Sequence, residues 1–329
     1  MLESTLFSCL PEDLASTPDG MAIDHEGRLI LACPNFADTS KPGCILRFDM
    51  DGRAEKWIDL PLLEETGLCC PMGIAFGPER DLYVIDNQSW LDRPEVKDKG
   101  RILRLHLSGD KVVRVTTIAS GMEHPNGMRI HNNQIYITQS MLSRVSDPSG
   151  KLVSCVYRFN TDDKNITVTN TLADKEIITT FLTINPDCQY GADGIEFDTN
   201  GDLLVGNFGD GAVHRITFNE DGDVTGNTVW AQNPAELQST DGMILDENRN
   251  LYIADFCANA IARVTPDGTV TRIAQSPDSD GLHGELDQPG EPIVWQNRII
   301  VSCFDLVTGP DKINTKHELP ATLAAIDLA

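Results

Sequence analysis

The sequence predicts an all-β chain folded as a six-bladed β-propeller with four antiparallel strands per blade. Three observations predict it. A short phrase recurs six times, led by Asp19, Met72, Asn126, Asp193, Asp241 and Glu291, at spacings of 48 to 67 residues. Each phrase runs from a polar lead residue, usually through Gly, into a few apolar residues, a polar turn and an apolar strand. The remaining apolar runs of each unit are equally short and are separated by Asp-Gly and Asn-Gly turns of the kind hairpins require, with no convincing amphipathic helix between them. Six such units fill the 329 residues, so a single domain over 1–329 without a linker is expected.

Taken in order, the first unit reads as Asp19–Ala32 for two strands and their turn, Ile45–Phe48 for a third and Ala54–Asp59 for a fourth. The second follows with Met72–Asp86 and Ile102–Leu105, and carries a long insertion after Asp86 that holds Trp90. The third comprises Asn126–Thr138 and Val156–Phe159, the fourth Asp193–Gly206 and Val213–Ile216, and the fifth Asp241–Ala254 and Ile261–Val264. Every third strand so far places an Arg (Arg47, Arg104, Arg158, Arg215, Arg263) in an apolar frame. The sixth unit begins at Glu291–Cys303 and ends with its third strand at Thr322–Ala329. Its outer strand must come from elsewhere, and Ser4–Cys9 is available to close the ring and cover two exposed edges.

Composition narrows the function. Fifty acidic against 26 basic residues leave a formal charge of −24. Such a polyanion cannot release counterions from nucleic acid and is repelled by an anionic membrane, so neither is expected as a partner. A small-molecule substrate is expected instead; the oligomeric state stays open. Met1–Asp13 lacks the basic and apolar regions of a secretory signal, and no run approaches the length needed to cross a bilayer. The nine cysteines include an adjacent pair, Cys69 and Cys70, but no CxxC, as suits reduced thiols in a cytoplasmic protein. The sequon at Asn165–Thr167 carries no weight without a signal.

In a propeller the first strand of each blade lines the central channel, and the six lead residues cluster at one mouth. Four carboxylates and an amide there repel one another unless protonated, solvated or bridged by a cation. All are hard oxygen donors, which suit calcium first and then manganese, magnesium or zinc. Asp-Gly is also ordinary turn chemistry, but its recurrence in register with Asn126 and Glu291 points to one divalent metal.

The repeats resemble the regucalcin/gluconolactonase family over nearly the whole chain. The most specific pieces are His124-Pro125-Asn126-Gly127-Met128 and Ala192-Asp193-Gly194-Ile195-Glu196-Phe197-Asp198. The resemblance implies that an Asn, an Asp one blade later and a Glu three blades before the Asn hold the ion. Two registers are open: a colinear one with Asp19 in the place of the Glu, and a one-blade shift that gives Glu291, Asn126 and Asp193. The shift fits better, with Asp19, Asp241 and Met72 as second-tier metal or substrate contacts. Met72-Gly73 stands where family lactonases usually carry Asn-Asp.

The reaction so implied is hydrolysis of a lactone, sugar-lactone-like, with the ion polarising the carbonyl and Asp193 as general base. Polar residues just past each second strand (Asn35, Asn87, Gln139, Asn207, Asp255) are candidates to read substrate hydroxyls. His124, His283 and His317 fall in mouth-side loops, where one could shuttle a proton, and Trp90 is placed to cover the mouth. The alternatives are an organophosphate or aryl-ester hydrolase on the same site, to which an apolar Met72 is suited, and a non-catalytic calcium-binding propeller.

Overall fold

The computed structural model describes residues 1–308 and 313–328. Six sheets surround a channel, and their inner strands touch in cyclic order, the sixth against the first. Blade 1 runs Met21–Ile23, Leu29–Cys33, Cys44–Phe48 and Ala54–Asp59; blade 4 runs Ala192–Phe197, Leu203–Asn207, Ala212–Phe218 and Val224–Gln232. In blade 6, Pro289–Trp295, Arg298–Cys303 and Thr322–Asp327 are completed by Ser4–Cys9, which pairs antiparallel with Thr322–Asp327. The closure expected from the missing outer strand is therefore present. Only 3₁₀ turns interrupt the strands, and no helix among the described residues is long and apolar enough to cross a membrane.

The second strands form the structural heart. Leu29–Cys33, Leu82–Asp86, Leu203–Asn207 and Leu251–Asp255 are buried at every position, because both sheet faces press on neighbouring blades. Inner strands approach one another so closely that the Gly after each lead residue has a steric cause. A Cβ on Gly73 would lie 2.5 Å from the Asn126 carbonyl oxygen, and one on Gly127 would lie 2.6 Å from that of Asp193. The turns joining first and second strands are held by their own acids: Asp24 accepts from the backbone N–H groups of Glu26 and Arg28, and Asp198 from those of Asn200 and Asp202. The repeated third-strand Arg residues stitch blade to blade. Arg47 reaches Asp110, Arg104 donates to the Thr161 carbonyl and Arg158 to that of Gly222, each in the next blade's outer loops.

Two features depart from the expected repeat. Blade 2 has five strands, since Ile166–Thr167 pairs in parallel with Ala119–Ser120 at the outer edge of Lys111–Met122. The lead position of blade 6 is also not Glu291. Pro125, Ala192 and Pro289 each pair with the last residue of the following strand, and Met128, Ile195 and Pro292 resume the ladder after the same irregularity. Gly290 thus occupies the register of Asn126 and Asp193, and Glu291 stands where the other blades have Gly.

Candidate active site at the channel mouth

Asp19, Asn126, Asp193, Asp241 and Glu291 line one small space in the channel, of about 10 Å³, scarcely room for one atom-sized guest. Asp19, Asn126 and Asp193 are buried, and the residual exposure of Asp241 and Glu291 is to the channel itself. Their charges are poorly met. Burial and then the charge of Glu291 push Asp19 up to about 8. Burial, followed by Asp19 and Glu291, raises Asp193, and burial with Asp193, Asp19 and Glu291 raises Asp241. No described residue donates a hydrogen bond to the Asp193 carboxylate, whereas Asp241 receives only its neighbour's Gly242 N–H at 3.0 Å.

Glu291 differs because it lies one residue deeper. Arg129 Nη2 meets its Oε1 at 3.3 Å, and Arg129 Nε meets Glu196 Oε2 at 3.1 Å. The same guanidinium donates to the carbonyls of Met128 at 2.9 Å and Met243 at 2.7 Å. A resident cation therefore already serves Glu291, whose carboxyl burial pushes up to about 7 even against the pull of Arg129. The register differs from the expected one: Glu291 lines the same space but pairs with Arg129, and Asp19 and Asp241 share the lead positions with Asn126 and Asp193. Met72 holds a lead position but belongs to the apolar cluster and brings no oxygen donor.

A cavity of about 780 Å³ adjoins this ring through His124 and Tyr190; Trp90, Met141, Phe208 and Phe256 give it an apolar side, and Ser89, Asp92, Arg93, Lys97, Glu123 and Gln189 a polar one. Trp90, Tyr190, Phe208 and Phe256 of this lining belong to a closed circuit of aromatic rings. Phe36, Trp90, Tyr190, Phe208, Phe256, Phe304 and again Phe36 follow at centroid separations of 5.1 to 6.2 Å. Trp90 also touches His124 and Phe304 across the circuit, which brings the insertion of blade 2 against these rings. One hydrogen-bonded path joins this lining to the acid ring. Asn87 Nδ2 donates to His124 Nδ1 at 2.7 Å, which leaves the proton of the neutral imidazole on Nε2, 3.3 Å from Tyr190 Oη. Asn126 Nδ2 donates to the same Oη at 3.1 Å. Burial lowers His124 to about 4, so it is neutral near pH 7. Burial and the charges of Asp193 and Asp241 keep the Tyr190 phenol protonated.

Most residues expected to read substrate hydroxyls are committed to the scaffold. Asn35 accepts from Ser16 N–H and donates to the carbonyls of Leu14 and Pro42. Gln139 accepts from the N–H groups of Glu123 and His124, and Asp255 from those of Gln238 and Ser239. Asn207 binds Thr183 Oγ1 and the Leu182 carbonyl. These side chains pin the loop entering each blade to the end of its second strand, and Asp86 does the same for Cys70 in blade 2. Asn87 stands one residue past that pin, which frees it to hold His124. His283 is exposed beside Gly284, which packs on the N-terminal strand, and lies away from the channel. His317 donates to Asp305 and is raised by it.

Arg129 and the aromatic circuit escaped the sequence reading. A signal for the circuit existed: Phe208, Phe256 and Phe304 each directly follow the last residue of a second strand, in three consecutive blades.

No family model matches the chain, and no curated protein matches it by sequence. Solved structures do. A gluconolactonase from Xanthomonas campestris is 14% identical over 100% of this chain and 90% of its own, with a TM-score of 0.61. A luciferin-regenerating enzyme is 12% identical over 99% and 95%, with a TM-score of 0.64. A virginiamycin B lyase from Staphylococcus aureus is 12% identical over 100% of both chains, with a TM-score of 0.58. These likenesses establish the fold. Because the matched proteins include a lactonase and a lyase, the chemistry has to be argued from the site.

The donor chemistry fits a divalent cation. Three carboxylates and Asn126 line a space the size of one ion; no described residue donates to the Asp193 carboxylate, and Asp19 and Asp241 each receive the backbone N–H of the glycine that follows. A tighter acidic group lies in blade 6: Asp287, Asp305 and Glu318 bring ligand oxygens within 4.8 Å of one another, a spacing that the channel acids do not reach, and among the described residues no other group of three His, Cys, Asp or Glu does.

Proposed function

We propose that the chain is a metal-dependent hydrolase of a lactone or aryl ester with an aromatic or otherwise apolar body, on a propeller of the regucalcin/gluconolactonase kind. The observation that carries this reading is an aromatic-sided cavity adjoining an acid ring, the two joined by His124, Tyr190 and Asn126. The polar residues ending the second strands, which could have read the hydroxyls of a sugar lactone, are occupied by backbone, so the polar part of the lining is limited to one side, with Ser89, Asp92, Arg93, Lys97 and Gln189. Aromatic walls instead favour a flat, apolar acyl or leaving group.

Asp19, Asn126, Asp193 and Asp241 would hold the ion, calcium or another hard divalent cation. When bound it supplies Lewis acidity toward an ester carbonyl oxygen. The chain's own residues do the rest. The aromatic walls bind the substrate body and exclude water from its far side. Neutral His124 fixes Tyr190, and Tyr190 engages the amide nitrogen of Asn126, which leaves Oδ1 as the free donor atom. Asp193, to which no described residue donates, would be the base that takes the proton of the attacking water.

The test is a side-by-side assay of dihydrocoumarin, phenyl acetate and gluconolactone in calcium, manganese and EDTA. The aromatic substrates should be preferred at least ~10-fold in kcat/KM, and Asp193→Asn should lose about 100-fold or more with an unchanged circular dichroism spectrum. Preference for gluconolactone, or full activity in EDTA, would overturn the proposal.

A further inference from the structure

We infer that blade 6 carries a second cation site, separate from the channel, built from Asp287, Asp305 and Glu318 and suited to calcium. Ligand oxygens of these three side chains lie within 4.8 Å of one another. They come from the segment entering the blade and from the two ends of the connection between its second and third strands. Asp287 precedes the inner strand, Asp305 follows the second strand, and Glu318 lies just before Thr322–Asp327. Asp287 is 2% exposed, yet its Oδ1 has no hydrogen-bond partner among the described residues. Such a buried, unpartnered carboxylate oxygen inside a group of like charges is costly unless something positive sits there.

The surroundings are those of a partly assembled shell. Asp305 is 3% exposed and adopts a left-handed backbone with φ of 45°. Its carboxylate is fixed by Asn314 Nδ2 at 3.0 Å, by the Glu318 N–H at 2.7 Å and by His317 Nδ1 at 3.1 Å. Lys316 takes only Oε1 of Glu318 and leaves the buried Oε2 without a partner among the described residues. Asn314, 1% exposed, likewise has an unpartnered Oδ1. Every donor atom here that lacks a partner is therefore an oxygen, which selects a hard cation and disfavours zinc held by nitrogen or sulfur. Burial and the charges of Asp305 and Glu318 push Asp287 up to about 8, in keeping with a charge that nothing balances.

The location gives the site a purpose. It ties the segment entering blade 6 to both ends of the connection between its second and third strands, in the blade that the N-terminal strand must close. A cation there would hold the last blade in the shape that Ser4–Cys9 recognises.

Equilibrium dialysis of the full chain against calcium, with metal counted by atomic emission, tests this directly. Asp287→Asn and Glu318→Gln should each bind one equivalent fewer than the parent, and the Asp19→Asn variant of the channel should keep the equivalent that Asp287→Asn removes. Neutralising a repelled acid favours folding, and Glu318→Gln at a half-exposed position supplies the second variant. An unchanged count in both variants, or no calcium bound by Asp19→Asn, overturns the proposal. If Asp287→Asn loses its equivalent while Asp19→Asn loses none, the blade 6 site stands and the channel reading alone fails.

Discussion

Replacing Asp19 by Asn is the sharpest probe of the acid ring, because it removes one charge and almost no volume. Asp19 moves from 3.8 in an unfolded chain to about 8 in the metal-free fold, chiefly through burial and then through Glu291. A carboxyl whose folded pKa is raised is favoured in its protonated form, so its contribution to stability is fully retained below 3.8 and is lost as pH climbs toward 8. By pH 7 the chain has crossed about three pH units of that interval. At about 1.4 kcal/mol per unit the cost is about 4 kcal/mol, an upper value because the acids of the ring share their protons. Asp19→Asn should abolish that cost. In EDTA its midpoint of thermal unfolding should exceed the parent's by about 5–10 °C at pH 7–8, taking about 2 °C per kcal/mol for a chain this long, and should match it near pH 4. In calcium the order should reverse, since the parent gains binding energy that the variant lacks. Differential scanning calorimetry across pH 4–8, with and without calcium, makes both comparisons. Equal pH slopes for parent and variant in EDTA would refute the electrostatic account of the ring.

Two further substitutions separate the channel from its supports. Arg129→Met removes four donated hydrogen bonds and leaves Glu196 and Glu291 without their cation, so urea unfolding should show a loss of about 3–5 kcal/mol, and a change below ~1 kcal/mol would count against the pairing. Asn35→Ala strands the Ser16 N–H and the carbonyls of Leu14 and Pro42, and should cost about 2–4 kcal/mol while esterase activity per folded molecule stays within about threefold; a tenfold rise in KM at unchanged stability would instead return Asn35 to the substrate.

The parts of the fold that could be read from the chain are those where backbone geometry forces a residue type. Gly127 is legible because the neighbouring Asp193 carbonyl leaves no room for a Cβ, and the Asp24 and Asp198 turns because their side chains satisfy their own backbone. Closure by Ser4–Cys9 followed from counting strands and from the instability of bare edges. The blade 6 lead was misread because Gly290-Glu291-Pro292 offers both a Gly and an acid, and only the pairing of Pro289 with Cys303 decides which one leads. The polar residues ending the second strands drew notice as substrate contacts because periodicity places them at the mouth. Periodicity cannot say that they turn sideways to the entering loop, while the Phe one step further faces the channel. Arg129 is invisible for a related reason: its partners Glu196 and Glu291 are 67 and 162 residues away, and nothing local announces them.

The acid ring and the aromatic circuit are one device when considered electrostatically. Charges interact about four times more strongly at the effective dielectric of a partly dry site than in water. Six aromatic rings beside the mouth, Trp90 among them, keep water away and so amplify the interactions near them. The same amplification raises the carboxyl pKa values when no cation is present and deepens the attraction when one is. Metal affinity and metal-free instability must then rise and fall together. A substitution that wets the ring, such as Trp90→Ala, weakens both at once, whereas one that removes a charge, such as Asp19→Asn, relieves the instability only by giving up the ion. A net charge of −24 spread over the surface has no such consequence, because solvent and salt screen it. Three carboxylates beside a dry aromatic wall do, and it is there that the chain's acidity becomes chemistry.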